Sequence, residues 1–96
     1  MAYAVCVTWI AKDGEEEAVA AALGRLLEPS RAESGVQLYL PHRDPNDPRV
    51  FFVYEQYADE AAYQAHVDTE HFKRDGLGDA IPRLAERRRE FYETLE

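Results

Sequence analysis

Two histidines and one glutamate mark the stretch of this chain best equipped for chemistry. Glu55 is the only acid in the apolar and aromatic run Val50–Tyr57, His66 falls in the apolar stripe of the segment that follows, and His71 stands one turn further on. If that segment is a helix, Ala62, Tyr63, His66 and Val67 share one face and Gln64 and Asp68 the other, so His66 points inward. A neutral imidazole near pH 7 can take or give a proton, which makes His66 a candidate general base or hydrogen-bond donor and Glu55 its candidate orienter. A lone inward histidine is more often a hydrogen-bonded core residue, and it is the neighbouring acid that raises the catalytic reading. Along the strand Glu55 shares a face with Phe51, Val53 and Tyr57, neighbours that would raise its pKa. The ordinary alternative is an ion pair with Arg87, Arg88 or Arg89. His71 either lines the same cavity or caps the last helical carbonyls.

Rings surround these groups. Trp9, Tyr39, Tyr54 and Tyr63 can wall a pocket for a flat aromatic ligand, although each taken singly is also ordinary core. The chain has no HExxH, CxxC, glycine-rich phosphate loop or GxSxG, so zinc hydrolysis, disulfide exchange, nucleotide binding and serine acyl transfer lack their usual parts. His42, His66 and His71 fall on a hairpin end, a helix face and a helix end, which is no ligand spacing, and no metal is expected.

The elements that must position these residues are legible in outline. Tyr3 to Ile10 is β-branched and aromatic with apolar residues on both faces, as for a strand buried on both sides. Asp13 and Gly14 break it, Glu15 to Glu17 favour a helix start, and Val19, Ala22, Leu23 and Leu26 recur at helical spacing. Pro29 is expected to kink or end this helix, with Gly35 just past its last turn. Val36–Leu40 reads as a second strand, the turn formers from Arg43 to Arg49 reverse the chain, and Val50–Tyr57 returns as a third. Asp59 can cap a second helix from Ala61 to about Thr69, and a shorter helical stretch is expected between Asp75 and Leu84. From Arg87 to Leu95 the pattern fits a helix stripe (Leu84, Arg88, Phe91, Leu95) as well as a strand (Phe91, Glu93, Leu95). As a strand it completes β-α-β-β-α-β, the split βαβ order of ferredoxin-like α+β folds, with an antiparallel sheet covered by helices on one face. The aromatic residues of strands two and three leave the other face apolar, and a homodimer with two sheets face to face is expected.

Composition bounds the partners. The 96 residues carry a formal net charge of −8 and are 46% hydrophobic, which suits a single domain over residues 1–96 that buries roughly 60–65% of its unfolded surface and gains from a second subunit. An acidic surface repels nucleic acid and anionic membranes, so neither is an expected partner. The run Arg87–Arg89 could meet an anion, but such a run is more often a solvated face or an internal ion-pair partner. Cys6 is the only cysteine, so no intrachain disulfide forms and the cytoplasm fits best. No segment reads as a signal peptide, and no apolar run approaches the roughly 18–20 residues of a membrane span.

Taken in order, Arg31, Ala32, Glu33, Ser34 and Gly35, a strand with Tyr39, His42 to Pro45 with Asp47 and Pro48, Tyr54 and Glu55, Ala61, Ala62, Ala65 and His66, and then His71, Phe72 and Lys73 resemble the antibiotic biosynthesis monooxygenase domain family of small quinol-monooxygenase-like proteins. The resemblance covers nearly the whole chain. It implies a dimeric α+β barrel of ferredoxin-like protomers whose C-terminal strand reaches toward the partner subunit. It implies less about activity, because such scaffolds host cofactor-free oxygenases of phenols, anthrones and quinols, haem-degrading enzymes and isomerases of small signalling molecules. Haem-degrading relatives carry a tryptophan where this chain has His66 and an iron-binding histidine shortly after the Phe-Lys pair, where this chain reads Arg74, Asp75 and Gly76, so haem cleavage is disfavoured. The expectation is an oxygenase that takes a small aromatic substrate and O2 without cofactor. His66 and Glu55 are its catalytic candidates, and Trp9, Tyr39, Tyr63 and His71 contact the substrate. The alternatives are a non-catalytic dimer that binds a small hydrophobic ligand and an isomerase of a small metabolite.

Overall fold

A computed structural model describes residues 1–96. The chain runs β1 (Tyr3–Ala11), α1 (Glu16–Arg31), β2 (Val36–Arg43), β3 (Val50–Tyr57), α2 (Glu60–Val67), a π-helical segment (Phe72–Ala80), one 3₁₀ turn (Ile81–Arg83) and β4 (Leu84–Glu93). The strands pair antiparallel in the order β2-β3-β1-β4, and with the helices on one face this is the ferredoxin-like α+β arrangement. The C-terminal segment is therefore a strand. Periodicity could not settle this because β4 is an edge strand with mostly exposed residues, so burial imposes little alternation on it.

The core lies between the sheet and α1. Val5, Val7, Trp9 and Ala11 of β1 meet Val19, Ala22, Leu23 and Leu26, all buried, and each large apolar side chain so buried contributes about 1.5–3 kcal/mol. The expectation that β1 is buried on both sides holds in full for only one face of this chain: on the other Ala4 is buried, but Cys6, Thr8 and Ile10 are half-buried. There Leu40, Phe52 and Tyr92 are 39%, 37% and 57% exposed, because the chain has helices for one side of its sheet only.

Two helix signals worked differently from expectation. Pro29 neither ends nor interrupts α1, which continues to Arg31 with the Ala32 N–H donating to the Glu28 carbonyl at 3.0 Å. Pro29 falls in the last turn, where few hydrogen bonds remain to be lost. Gly35 is not a left-handed cap, since Gly14 alone has positive φ. It is a point of close approach, where an added Cβ would lie 2.5 Å from the Ala62 Cβ, so glycine lets α2 sit against the start of β2. Asp59 does cap α2, accepting from the Ala62 N–H at 2.9 Å. The next helical stretch begins earlier than expected and is π-helical, with Gly76 lying under the Phe72 ring. Buried Asp75 ties it to α1, accepting from Arg25 at 3.0 Å as well as from Arg74 at 2.9 Å.

Candidate active site

Register builds the sheet side of the site. Tyr39 pairs with Glu55 and Glu55 with Val5, while Arg87 and Arg89 on β4 lie opposite Trp9 and Val7 on β1. Because side chains alternate along a strand, all of these share the helix-covered face. The helix side comes from Tyr63, His66 and Val67 of α2 and from Phe72. Between the two layers is a partly open cavity lined by Trp9, Tyr39, Glu55, Tyr63 and His66 together with Val7, Val53, Phe72, Arg87 and Arg89. The space between its walls, counted out to solvent at the mouth, is about 350 Å³, and it is narrow throughout. It has room for about one water molecule and admits a ring only when a wall moves. Exposed Arg89, which donates to the Tyr63 hydroxyl at 3.1 Å, is part of that wall.

His66 is 2% exposed and ringed by Tyr39, Tyr57 and Phe72 at centroid distances of 5.7, 5.6 and 5.2 Å. Its orienter is not Glu55. His66 Nδ1 donates to Glu33 Oε2 at 2.8 Å, and His71 Nε2 donates to the same oxygen at 2.7 Å. An ionised carboxylate only accepts, so the His66 proton resides on Nδ1 and Nε2 keeps the ring's free lone pair. Burial pushes this imidazole below its usual pKa, against the pull of Glu33, which favours the neutral base. His71 does not line the cavity. It stands on the outer side of Glu33, 17% exposed, where the two roles expected for it, cavity wall and helix cap, are both replaced by the carboxylate.

Glu55 takes the apolar option. It is 4% exposed, burial pushes its carboxyl up to about 7, and its Oε1 accepts from the Tyr57 hydroxyl at 2.5 Å rather than from any arginine. The same burial and the nearby carboxylate push the Tyr57 and Tyr39 hydroxyls above their usual range. Two buried donors on the sheet side have no partner: Trp9 Nε1 and Arg87 Nε. Both line the cavity and they are cross-strand neighbours. Burial and the adjacent Arg89 charge lower the Arg87 pKa. An unpartnered buried donor costs about 1–3 kcal/mol, a penalty that an acceptor oxygen placed in the cavity would remove.

Five of the expected residues thus meet at one cavity: Trp9, Tyr39, Glu55, Tyr63 and His66. Tyr54 does not, because it points to the open face of the sheet beside Cys6 and Leu40. His42 lies on that face too, against the Phe52 carbonyl at 3.3 Å. Sequence reasoning missed Glu33, which sits in the turn after α1 with no periodicity to point it anywhere. It also passed over Arg87 and Arg89, which the strand alternative for β4 would have put on one face with Phe91. The absence of metal-ligand spacing misled as well, since the fold brings His66, His71 and Glu33 together with ligating atoms within 4.8 Å of one another.

A family model described as antibiotic biosynthesis monooxygenase matches residues 2–74. The structure of PA3566 from Pseudomonas aeruginosa is 34% identical, with 99% of this chain and 95% of that one covered at a TM-score of 0.91. A protein of Nitrosomonas europaea described as a putative antibiotic biosynthesis monooxygenase is 28% identical over 98% of this chain and 99% of that one, at a TM-score of 0.87. The structure of Rv0793 from Mycobacterium tuberculosis, 18% identical over 100% of this chain and 97% of that one with a TM-score of 0.90, shares the fold. No curated protein matches the chain. The matched family model and the 34% identical structure together show that the chain belongs to the antibiotic biosynthesis monooxygenase family.

Proposed function

We propose that this protein is a cofactor-independent monooxygenase of a small phenol, quinol or anthrone, working as a homodimer in the cytoplasm over a single domain of residues 1–96. The observation that carries the reading is the polarity of the cavity. A free imidazole nitrogen of His66 stands on its helix side, the unpartnered donors Trp9 Nε1 and Arg87 Nε on its sheet side, and apolar walls lie between. His66 Nε2 removes a proton from the substrate, and the oxyanion that forms is held by Trp9 and Arg87 in a site with little water. The electron-rich anion passes one electron to O2, the radical pair combines into a carbon peroxide anion, and the proton held by His66 returns to it to give the hydroperoxide. For an anthrone CH2, loss of the second C–H proton with cleavage of the O–O bond then gives the ketone and water, so that CH2 and O2 become C=O and H2O. The substrate supplies all the electrons. Glu55, with a pKa of about 7, is a second group able to hold a proton during these steps.

The dimer part of the reading is supported by the apolar open face around Leu40, Phe52 and Tyr92 and by the need to cover it. The narrowness of the cavity favours a second reading, in which the protein binds a small hydrophobic ligand, or none, without catalysis. Oxygen uptake by purified protein with a panel of anthrones and reduced quinones, without metal or flavin, separates the two. The oxygenase consumes one O2 per product and places one labelled oxygen atom from 18O2 in it. No uptake with any substrate overturns the oxygenase reading.

A further inference from the structure

We infer that Glu33, His66 and His71 form a binding site for a divalent first-row transition ion, on the outer side of the cavity. The three groups come from three places, the turn after α1, the last turn of α2 and the start of the π-helical segment, and converge on a single carboxylate oxygen. Two imidazoles with one carboxylate are the donor set that zinc and ferrous ions use when they keep further positions for water. The spacing is near that of an ion's shell at the two N–O pairs, while the three ligating atoms together lie within 4.8 Å of one another, so the two imidazole nitrogens close toward each other when an ion enters. Cis ligands with bonds of about 2.1 Å stand about 3.0 Å apart in an octahedral shell and about 3.4 Å apart in a tetrahedral one. The present N–O separations of 2.7 and 2.8 Å need open by only a few tenths of an ångström in the first case.

The chemistry of exchange is simple. Each imidazole shifts its proton to its other ring nitrogen, Nδ1 of His66 and Nε2 of His71 then donate lone pairs to the ion, and no net proton leaves. The site is reachable, since the Glu33 and His71 side chains are 15% and 17% exposed, and a protein of net charge −8 attracts cations. The rings of Tyr39, Tyr57 and Phe72 hold His66 in place, so one of the three ligands is fixed and the partly exposed Glu33 and His71 side chains adjust to it. Occupancy puts the His66 proton on Nε2, toward the cavity, and turns a base into a hydrogen-bond donor. Metal binding and cofactor-free oxygenation through His66 are therefore mutually exclusive.

The test reads binding alone and does not depend on any activity. Tag-free protein is titrated with Co2+, followed by the visible absorption of the bound ion, and then with Zn2+, followed by the ring C–H resonances of its three histidines. One Co2+ is expected to bind per chain and be displaced by Zn2+, and the His66 and His71 resonances to move together on Zn2+ addition while those of His42 stay. Glu33→Gln and His71→Ala each weaken binding by more than about 100-fold, and His42→Ala leaves it unchanged. Absence of saturable binding, or Zn2+ shifts at His42 without shifts at His66 and His71, overturns the inference even if a variant fails to fold.

Discussion

Replacing Glu55 by glutamine should flatten much of the pH dependence of stability. Burial of this carboxyl raises its pKa from 4.5 to about 7 in the folded protein, so the folded state holds a proton that the unfolded state releases. The stabilisation tied to that proton is complete below the unfolded value and is lost as pH rises through 7. At about 1.4 kcal/mol per pKa unit the full effect is about 3 kcal/mol, and about 2–3 kcal/mol of it falls between about pH 5 and pH 8. The amide that replaces the carboxyl can still accept from the Tyr57 hydroxyl, which keeps the hydrogen bond while removing the charge. The assay is urea unfolding followed by circular dichroism at several pH values and one fixed protein concentration, since dimerisation would otherwise shift the midpoint. Subtracting wild type from Glu55→Gln cancels every other titrating group. The difference in unfolding free energy should grow in the variant's favour by about 2–3 kcal/mol across this range. A difference that stays flat means that Glu55 is ionised or solvated in the folded protein, and the description of the cavity as apolar around it is then wrong.

Three further outcomes follow from the packing. Gly35→Ala should cost about 1–3 kcal/mol, because the new Cβ meets Ala62 at 2.5 Å, and Ala62→Gly in the same chain should restore most of it by urea midpoint. If the open sheet face carries the proposed dimer, wild type should be dimeric by light scattering and Phe52→Glu monomeric with an unchanged far-ultraviolet spectrum, whereas equal masses for the two would contradict that interface. Trp9→Phe removes an unpartnered buried N–H but also core volume, so the two effects should offset to within about 1 kcal/mol of stability while KM rises for a substrate with an acceptor oxygen.

The order of elements was legible because the apolar stripes of β1, α1 and β3 are long and dominated by burial, and the cap at Asp59 has a clear side-chain signature. Pro29 and Gly35 were not, because the effect of a proline depends on how many helical bonds remain beyond it and that of a glycine on which backbone packs over it. The cavity was legible through residues with strong periodicity, such as His66 and Glu55. The partner of His66 was not, because Glu33 lies in a turn and its carboxylate reaches His66 only through the docking of α2 across Gly35. Arg87 and Arg89 were obscured because periodicity left their segment open between helix and strand, and only the strand reading separates these cavity-facing arginines from Arg88, which pairs with Glu86 at 2.7 Å.

The decisive measurement is kcat/KM for oxygen uptake by wild type and His66→Ala on one accepted substrate, with Glu33→Gln beside them. If His66 is the base and Glu33 fixes its tautomer, His66→Ala should lose about 100- to 10,000-fold, and Glu33→Gln should lose activity by a smaller factor with its fold intact. A His66→Ala protein that turns over as fast as wild type would contradict the assignment of the base and move attention to Glu55.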